Sequence, residues 1–149
     1  MKNLQTFLDS VEGEDFREQC ESICACLREE DSRFHWVGIY GLKGETLTLG
    51  PWSGPEETNH KKFSINEGIC GAAARENKTV IVNDVQSDPR YLACFADTRA
   101  EIVVPIRAKN KIIGEIDIDG ITVGAFNEDD RLFLEALAEH IGKQWPGKW

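Results

Sequence analysis

Between residues 111 and 119 the chain alternates with a period of two. Ile112, Ile116 and Ile118 fall on one side, and Glu115, Asp117 and Asp119 on the other. Successive side chains of a strand point to opposite faces, so an extended strand separates the two sets where a helix would scatter them. One face of that strand must meet a core. The other carries a row of carboxylates that repel one another and are costly to bury without partners. Taken alone, the row reads as the wetted side of an antiparallel sheet. A sharper reading makes it a site for a cation or ammonium group, or a proton source built on a carboxyl of raised pKa.

The neighbouring segments supply the rest of a sheet and its helices. Phe16, Cys20, Ile23, Cys24 and Leu27 recur at helical spacing and predict an amphipathic helix over about residues 13–30. Cys20 and Cys24 act there as small apolar residues, and Cys26 lies off the stripe, partly exposed. Residues 34–40 are aromatic and β-branched and predict a strand, with Phe34, Trp36 and Tyr40 on one face and Val37 and Ile39 on the other. Residues 41–45 read as a turn, 46–52 as the hairpin partner and 51–60 as a loop. Residues 68–76 suit a short, tightly packed helix, 79–82 a short strand and 84–99 a long connection. Two strands, 101–107 and 111–119, meet at Ala108-Lys109-Asn110. Asn127 caps a last helix, Glu128, Asp129 and Asp130 complement its dipole, and Leu132, Leu134, Leu137, Ala138 and Ile141 form its apolar side. The pattern predicts an α+β fold, a central, largely antiparallel sheet flanked by helices. A length of 149 residues fits a single domain over 1–149, with an N-terminal helical segment over 1–33.

The net charge of −9 is spread over the whole chain, and no basic run interrupts it. Nucleic acids and anionic membranes need clustered Lys and Arg, so neither is an expected partner. No apolar run approaches the ~20 residues that span a bilayer. The start, Met1-Lys2-Asn3-Leu4-Gln5, has no signal-peptide core, which points to a cytoplasmic chain with reduced thiols. The five cysteines do not form paired C-x-x-C knuckles, so no metal or other cofactor is expected.

Cys70 stands between Gly68 and Gly71 at a predicted helix start, where the dipole favours thiolate. Cys94 sits in the long connection, the kind of segment that carries function. Trp36 and Tyr40 share a strand face and suit either core or a pocket wall. Each residue has an ordinary structural reading. Together, Trp36-Val37-Gly38-Ile39-Tyr40, Gly68-Ile69-Cys70-Gly71, Ala93-Cys94, Glu101-Ile102-Val103-Val104-Pro105 and Ile116-Asp117-Ile118-Asp119 resemble the GAF-domain free methionine-(R)-sulfoxide reductases. The resemblance runs in order over residues 34–143. GAF domains in general share the glycine helix and the 84–91 region, whereas the two cysteines and the Glu101, Asp117 and Asp119 set are more specific.

The resemblance implies a GAF-like fold and thiol-dependent reduction of free methionine-(R)-sulfoxide without a cofactor. Cys94 matches the catalytic cysteine, whose thiolate attacks the sulfoxide sulfur while the oxygen takes up protons and leaves as water. Methionine is released and Cys94 becomes a sulfenic acid, which a thiol, with a thioredoxin-like reductant behind it, returns to the reduced state. Glu101, Asp117 and Asp119 match the acids that hold the substrate ammonium and help proton transfer, and Trp36 and Tyr40 match aromatic walls around the S-methyl group. Glu115 has no counterpart role and is expected at the surface. Members often form homodimers, although no stretch here marks an interface.

Two departures stand out. Where the family has a first pocket cysteine, the usual resolving thiol, this chain has His60, which leaves Cys70 or an external thiol to resolve. Around the catalytic cysteine, Arg90-Tyr91-Leu92-Ala93-Cys94-Phe95 replaces the family's Gly, His and following Asp. A non-catalytic GAF module that binds a small ligand, or senses oxidants through Cys70 and Cys94, is the alternative.

Overall fold

The computed structural model describes residues 3–149, so Met1 and Lys2, at the start of the segment read as helical, lie outside the described residues. In chain order come α1 (Leu4–Asp9), α2 (Phe16–Glu30), β1 (Trp36–Lys43), β2 (Thr46–Ser53), β3 (Lys62–Ser64), α3 (Gly68–Glu76), β4 (Val80–Val82), β5 (Ala100–Ala108), β6 (Lys111–Gly120) and α4 (Glu128–Gln144). A 3-10 turn at Val85–Ser87 opens the long connection. The strands form one six-stranded sheet in the order β3-β2-β1-β6-β5-β4, with every neighbouring pair antiparallel. The expected α+β class is the observed one. Among the described residues no helix is long and apolar enough to cross a membrane.

Strand alternation divides the interior into two apolar layers. Val37, Ile39, Ile102, Val104, Ile106, Ile116 and Ile118 pack with α1, α2 and α4. Trp36, Tyr40, Leu47, Val80, Val82 and Val103 pack on the opposite face with Ile69, Cys70 and Ala73 of α3 and with Val85 and Phe95 of the connection. The acidic row of β6 shares the parity of this second face.

Several local expectations shift. Phe34 precedes β1, so strand parity does not bind it, and it joins the helix-side layer 5.9 Å from Phe126. The pairing of β5 with β6 skips Ile113, a bulge that turns Ile113 into the helix-side layer and leaves Ile112 outside it. Leu132 is 51% exposed, off the buried side of α4. The first hairpin turn narrows to Gly44-Glu45, with Gly44 at φ +62°, because β1 continues to Lys43. The second narrows to Lys109-Asn110, both at positive φ (52° and 65°), the backbone that a two-residue hairpin loop requires.

Asn127 caps α4 as expected: its side chain accepts from the Asp130 N–H at 3.0 Å, and Asp130 accepts from the Asn127 N–H at 2.9 Å. Arg33 binds Asp130 at 2.7 Å, tying this start to the segment after α2. Asn127→Ala is expected to cost about 1 kcal/mol. The check is a lower urea midpoint at unchanged slope.

Candidate active site

Register decides what meets the acidic row. Across β1, Trp36 stands opposite Asp119, Gly38 opposite Asp117 and Tyr40 opposite Glu115. Across β5, Glu101 stands opposite Asp119, Val103 opposite Asp117 and Pro105 opposite Glu115. Because β6 lies between two long strands with α3 and the connection over this face, the carboxyls are enclosed: Glu115 is 0% exposed, Asp117 and Asp119 4%, and Glu101 7%. The wetted-face reading is therefore overturned, and so is a surface position for Glu115.

Enclosure sets their protonation. Burial first, and the neighbouring Asp117 second, hold Glu101, Glu115 and Asp119 well above the usual carboxylate range. Asp117 is also raised by burial, against hydrogen bonds with Glu101 and Cys70 that favour its charged form. Thr98 Oγ1 donates to Asp119 at 3.2 Å. The Cys70 thiol eases Glu115, yet neither Glu115 oxygen has a hydrogen bond of normal geometry among the described residues. Burial and the neighbouring Asp117 thus favour protons on Glu101, Glu115 and Asp119, where the water-facing reading would have left them ionised.

Cys70 is the third residue of α3 and 4% exposed. Its Sγ, one oxygen of Glu101 and one of Asp117 lie within 4.8 Å of one another, a spacing that could hold a cation. Burial and then the surrounding acids, Asp117 foremost, push the Cys70 thiol well up. The expected thiolate at the helix start is corrected here, since enclosure among carboxyls outweighs the dipole.

Cys94 is half-buried in the connection. Burial, then Asp117 and Asp119, push its thiol up to about 12, against a favourable contact from the Thr58 hydroxyl. His60 Nδ1 lies 3.0 Å from Cys94 Sγ. Cys94, Cys70, Glu101, Asp117, Tyr40 and Phe63 line one small pocket whose free volume is about 10 Å³, roughly the room of a single water.

Of the residues singled out in the sequence, Tyr40, Cys70, Cys94, Glu101 and Asp117 meet in this cavity, while Trp36 and Asp119 do not line it. Asp119 stands one step along the row, and Trp36 is held between Trp52 (centroids 6.2 Å apart, 15° between planes) and Phe95 (5.5 Å). Gly38 and Gly54 leave the room in which the Trp36 ring lies, since a Cβ on either would overlap it. The Tyr40 hydroxyl donates to the His60 carbonyl at 2.9 Å. The sequence reading missed Phe63, the burial of Glu115 and the contact of His60 with Cys94. Only the last had a signal, the substitution at that position.

A six-stranded antiparallel sheet with α1, α2 and α4 on one face, and α3 over a small acid-and-thiol pocket on the other, defines an α+β ligand-pocket domain. The chain belongs to the GAF-domain family, whose model, described as "GAF domain", matches residues 13–143. It is similar to the free methionine-R-sulfoxide reductase of Escherichia coli (strain K12), 34% identical over 119 residues, 80% of this chain and 71% of that protein. It is also similar to the free methionine-R-sulfoxide reductase of Saccharomyces cerevisiae, 40% identical over 113 residues, 73% of this chain and 62% of that protein. The solved free methionine-R-sulfoxide reductase of Neisseria meningitidis in complex with its substrate superposes with a TM-score of 0.86 at 33% identity, covering 95% of this chain and 84% of that one.

Proposed function

We propose that this chain is an oxidoreductase that reduces free methionine-(R)-sulfoxide to methionine, with Cys94 as the nucleophile. The observation that carries the reading is one small pocket lined by Cys94 together with the buried carboxyls of Glu101 and Asp117, Glu101 held well above the usual carboxylate range. Sulfoxide oxygen is a poor leaving group until it is protonated, and a carboxylic acid kept neutral by burial can deliver that proton at neutral pH. The similarity to named reductases over most of the chain supports the same chemistry.

Glu101 and Asp117 protonate the sulfoxide oxygen, and one of them, with Asp119 beside it, faces the substrate ammonium. Tyr40 forms the aromatic wall, extended by Trp36. In net terms the Cys94 thiol and the sulfoxide become a Cys94 sulfenic acid and the thioether: the oxygen passes from substrate sulfur to enzyme sulfur, two electrons pass the other way, and the oxygen leaves as water only when the sulfenic acid is resolved. Thiol attack on the sulfenic acid by Cys70 or an external thiol gives a disulfide and water. Thioredoxin or another thiol reductant, in a cytoplasmic setting, restores the resting state. A homodimer and the extent of the working domain over 1–149 remain part of this proposal.

The test couples the protein to thioredoxin, thioredoxin reductase and NADPH, and in parallel to dithiothreitol. Oxidation of NADPH with free methionine-(R)-sulfoxide and none with the S epimer is the expected outcome. Absence of turnover with both reductants would overturn the reading. Formation of a Cys70–Cys94 disulfide by oxidant in a protein without turnover would favour the sensing alternative.

A further inference from the structure

We propose that His60 is a catalytic residue, the base that takes the Cys94 thiol proton and holds the resulting thiolate as an ion pair. The inference deepens the reductase reading and rests on it for the reaction, though the pair itself does not depend on which substrate arrives. The geometry is specific. His60 Nδ1 and Cys94 Sγ are 3.0 Å apart although 34 residues separate them in the chain. Cys94 Sγ also meets the Leu92 carbonyl at 3.6 Å, an acceptor for the S–H, and the Thr58 hydroxyl, neither of them a base.

His60 is also fixed at both ends of its backbone. Its N–H donates to Thr58 Oγ1 at 3.0 Å, and its carbonyl accepts from the Tyr40 hydroxyl at 2.9 Å. The loop behind it is held where Trp36 Nε1 donates to the Glu56 carbonyl at 3.2 Å. These bonds fix the backbone from which the imidazole reaches Cys94.

The surroundings explain why a base is needed. Asp117 and Asp119 of β6, Glu101 of β5, Tyr40 of β1, Cys70 of α3 and Tyr91 of the connection are the titratable groups around Cys94. None of them is a cation, and several oppose a thiolate, so Cys94 rests as a thiol. An imidazole at hydrogen-bond distance removes the proton while supplying the one compensating positive charge, the arrangement that activates cysteine nucleophiles elsewhere.

The step balances within the site. Cys94 Sγ–H passes its proton to His60 Nδ1, whose ring carries its resting proton on Nε2. The thiolate attacks the substrate sulfur while Glu101 or Asp117 protonates the departing oxygen. That oxygen passes to Cys94 as S–OH while the transient sulfur–sulfur bond breaks and frees the thioether, and the His60 imidazolium returns its proton to the carboxylate. One thiol and one sulfoxide become one sulfenic acid and one thioether, with no net proton gained or lost.

The experiment reads the pair separately from turnover. Trypsin cuts after Arg90 and Arg99, so iodoacetamide labelling of Cys94 is followed on the peptide of residues 91–99, apart from Cys70. In the wild type the labelling rate is expected to show an inflection below the alkaline range, a step that belongs to the pair and not to an isolated thiol. In His60→Gln and His60→Asn, with fold checked by circular dichroism, labelling at pH 7 should fall at least about 10-fold and rise only at alkaline pH. Turnover with dithiothreitol should fall about 10²-fold in the same variants. A wild-type profile without the inflection, or the same profile in folded variants, overturns the proposal. A His60-dependent profile in a protein that reduces no sulfoxide upholds the pair and discards the reductase reading alone.

Discussion

Cys94→Ser is expected to bring sulfoxide reduction down to the rate without enzyme, with thioredoxin and with dithiothreitol alike. The substrate oxygen must leave a sulfur that gains two electrons, and the group that supplies them must then exist in an oxidised form. Sulfur does so as a sulfenic acid; a serine oxygen has no comparable state. The substitution is nearly isosteric, and Cys94 is half-buried at the edge of the sheet-face layer, so the fold should persist. Unchanged circular dichroism and a thermal midpoint close to wild type, beside absent turnover, would assign the loss to chemistry. Persisting R-selective turnover would place the nucleophile elsewhere. Cys70→Ser makes the informative contrast: it is expected to weaken thioredoxin-driven turnover more than turnover with dithiothreitol, because a small external thiol can reach the sulfenic acid where an internal partner is missing. Equal rates with thioredoxin would exclude Cys70 as the resolving thiol.

What the sequence disclosed was what local rules govern. The two-residue period of 111–119 specified a strand, the glycines at 68 and 71 a tight helix, and Asn127 a cap, and all three stand where they were expected. Rules of parity failed where an element boundary or a bulge intervened: Phe34 lies outside β1, and Ile113 displaces Ile112. The larger misreading concerned the acid row. Nothing within residues 111–119 says whether β6 is an edge strand or a central one, and only its pairing with both β1 and β5 encloses Glu115, Asp117 and Asp119. The Cys70 thiolate failed for the same reason, since the carboxyls that suppress it arrive from β5 and β6. His60 was legible as a departure from a family pattern, but its contact with Cys94 depends on two loops meeting over the sheet face. The residue types were legible in the sequence, and their environment required the long-range pairing.

The enclosed acids should make the protein lose stability as the pH rises, and Glu115→Gln should remove part of that loss. Glu101, Glu115, Asp117 and Asp119 all have folded pKa values above those of the unfolded chain, about 3.9 for Asp and 4.3 for Glu. Below pH 4 both states hold the protons and these groups do not bias folding. Above it the unfolded chain ionises while the folded state keeps its protons, so the native state binds more of them and unfolding becomes easier as the pH increases. Each group contributes about 1.4 kcal/mol per pH unit until its own folded pKa is reached. Asp31, Asp88 and Glu128 are shifted down, and their opposite effect falls at lower pH, outside this window. Urea unfolding without substrate should therefore give a lower stability at pH 8 than at pH 5. Glu115 is the residue to change because it is the most deeply enclosed of the four and does not line the Cys94 cavity. Glutamine keeps its shape and cannot ionise, so Glu115→Gln should match wild type near pH 4 and exceed it by a margin that grows toward pH 8. Parallel stability curves for the two proteins would mean that Glu115 ionises in the folded state as easily as in the unfolded chain. That result would require a compensating charge against Glu115, whereas the nearest side chains set against it are Cys70 and Asp117, neither of them cationic.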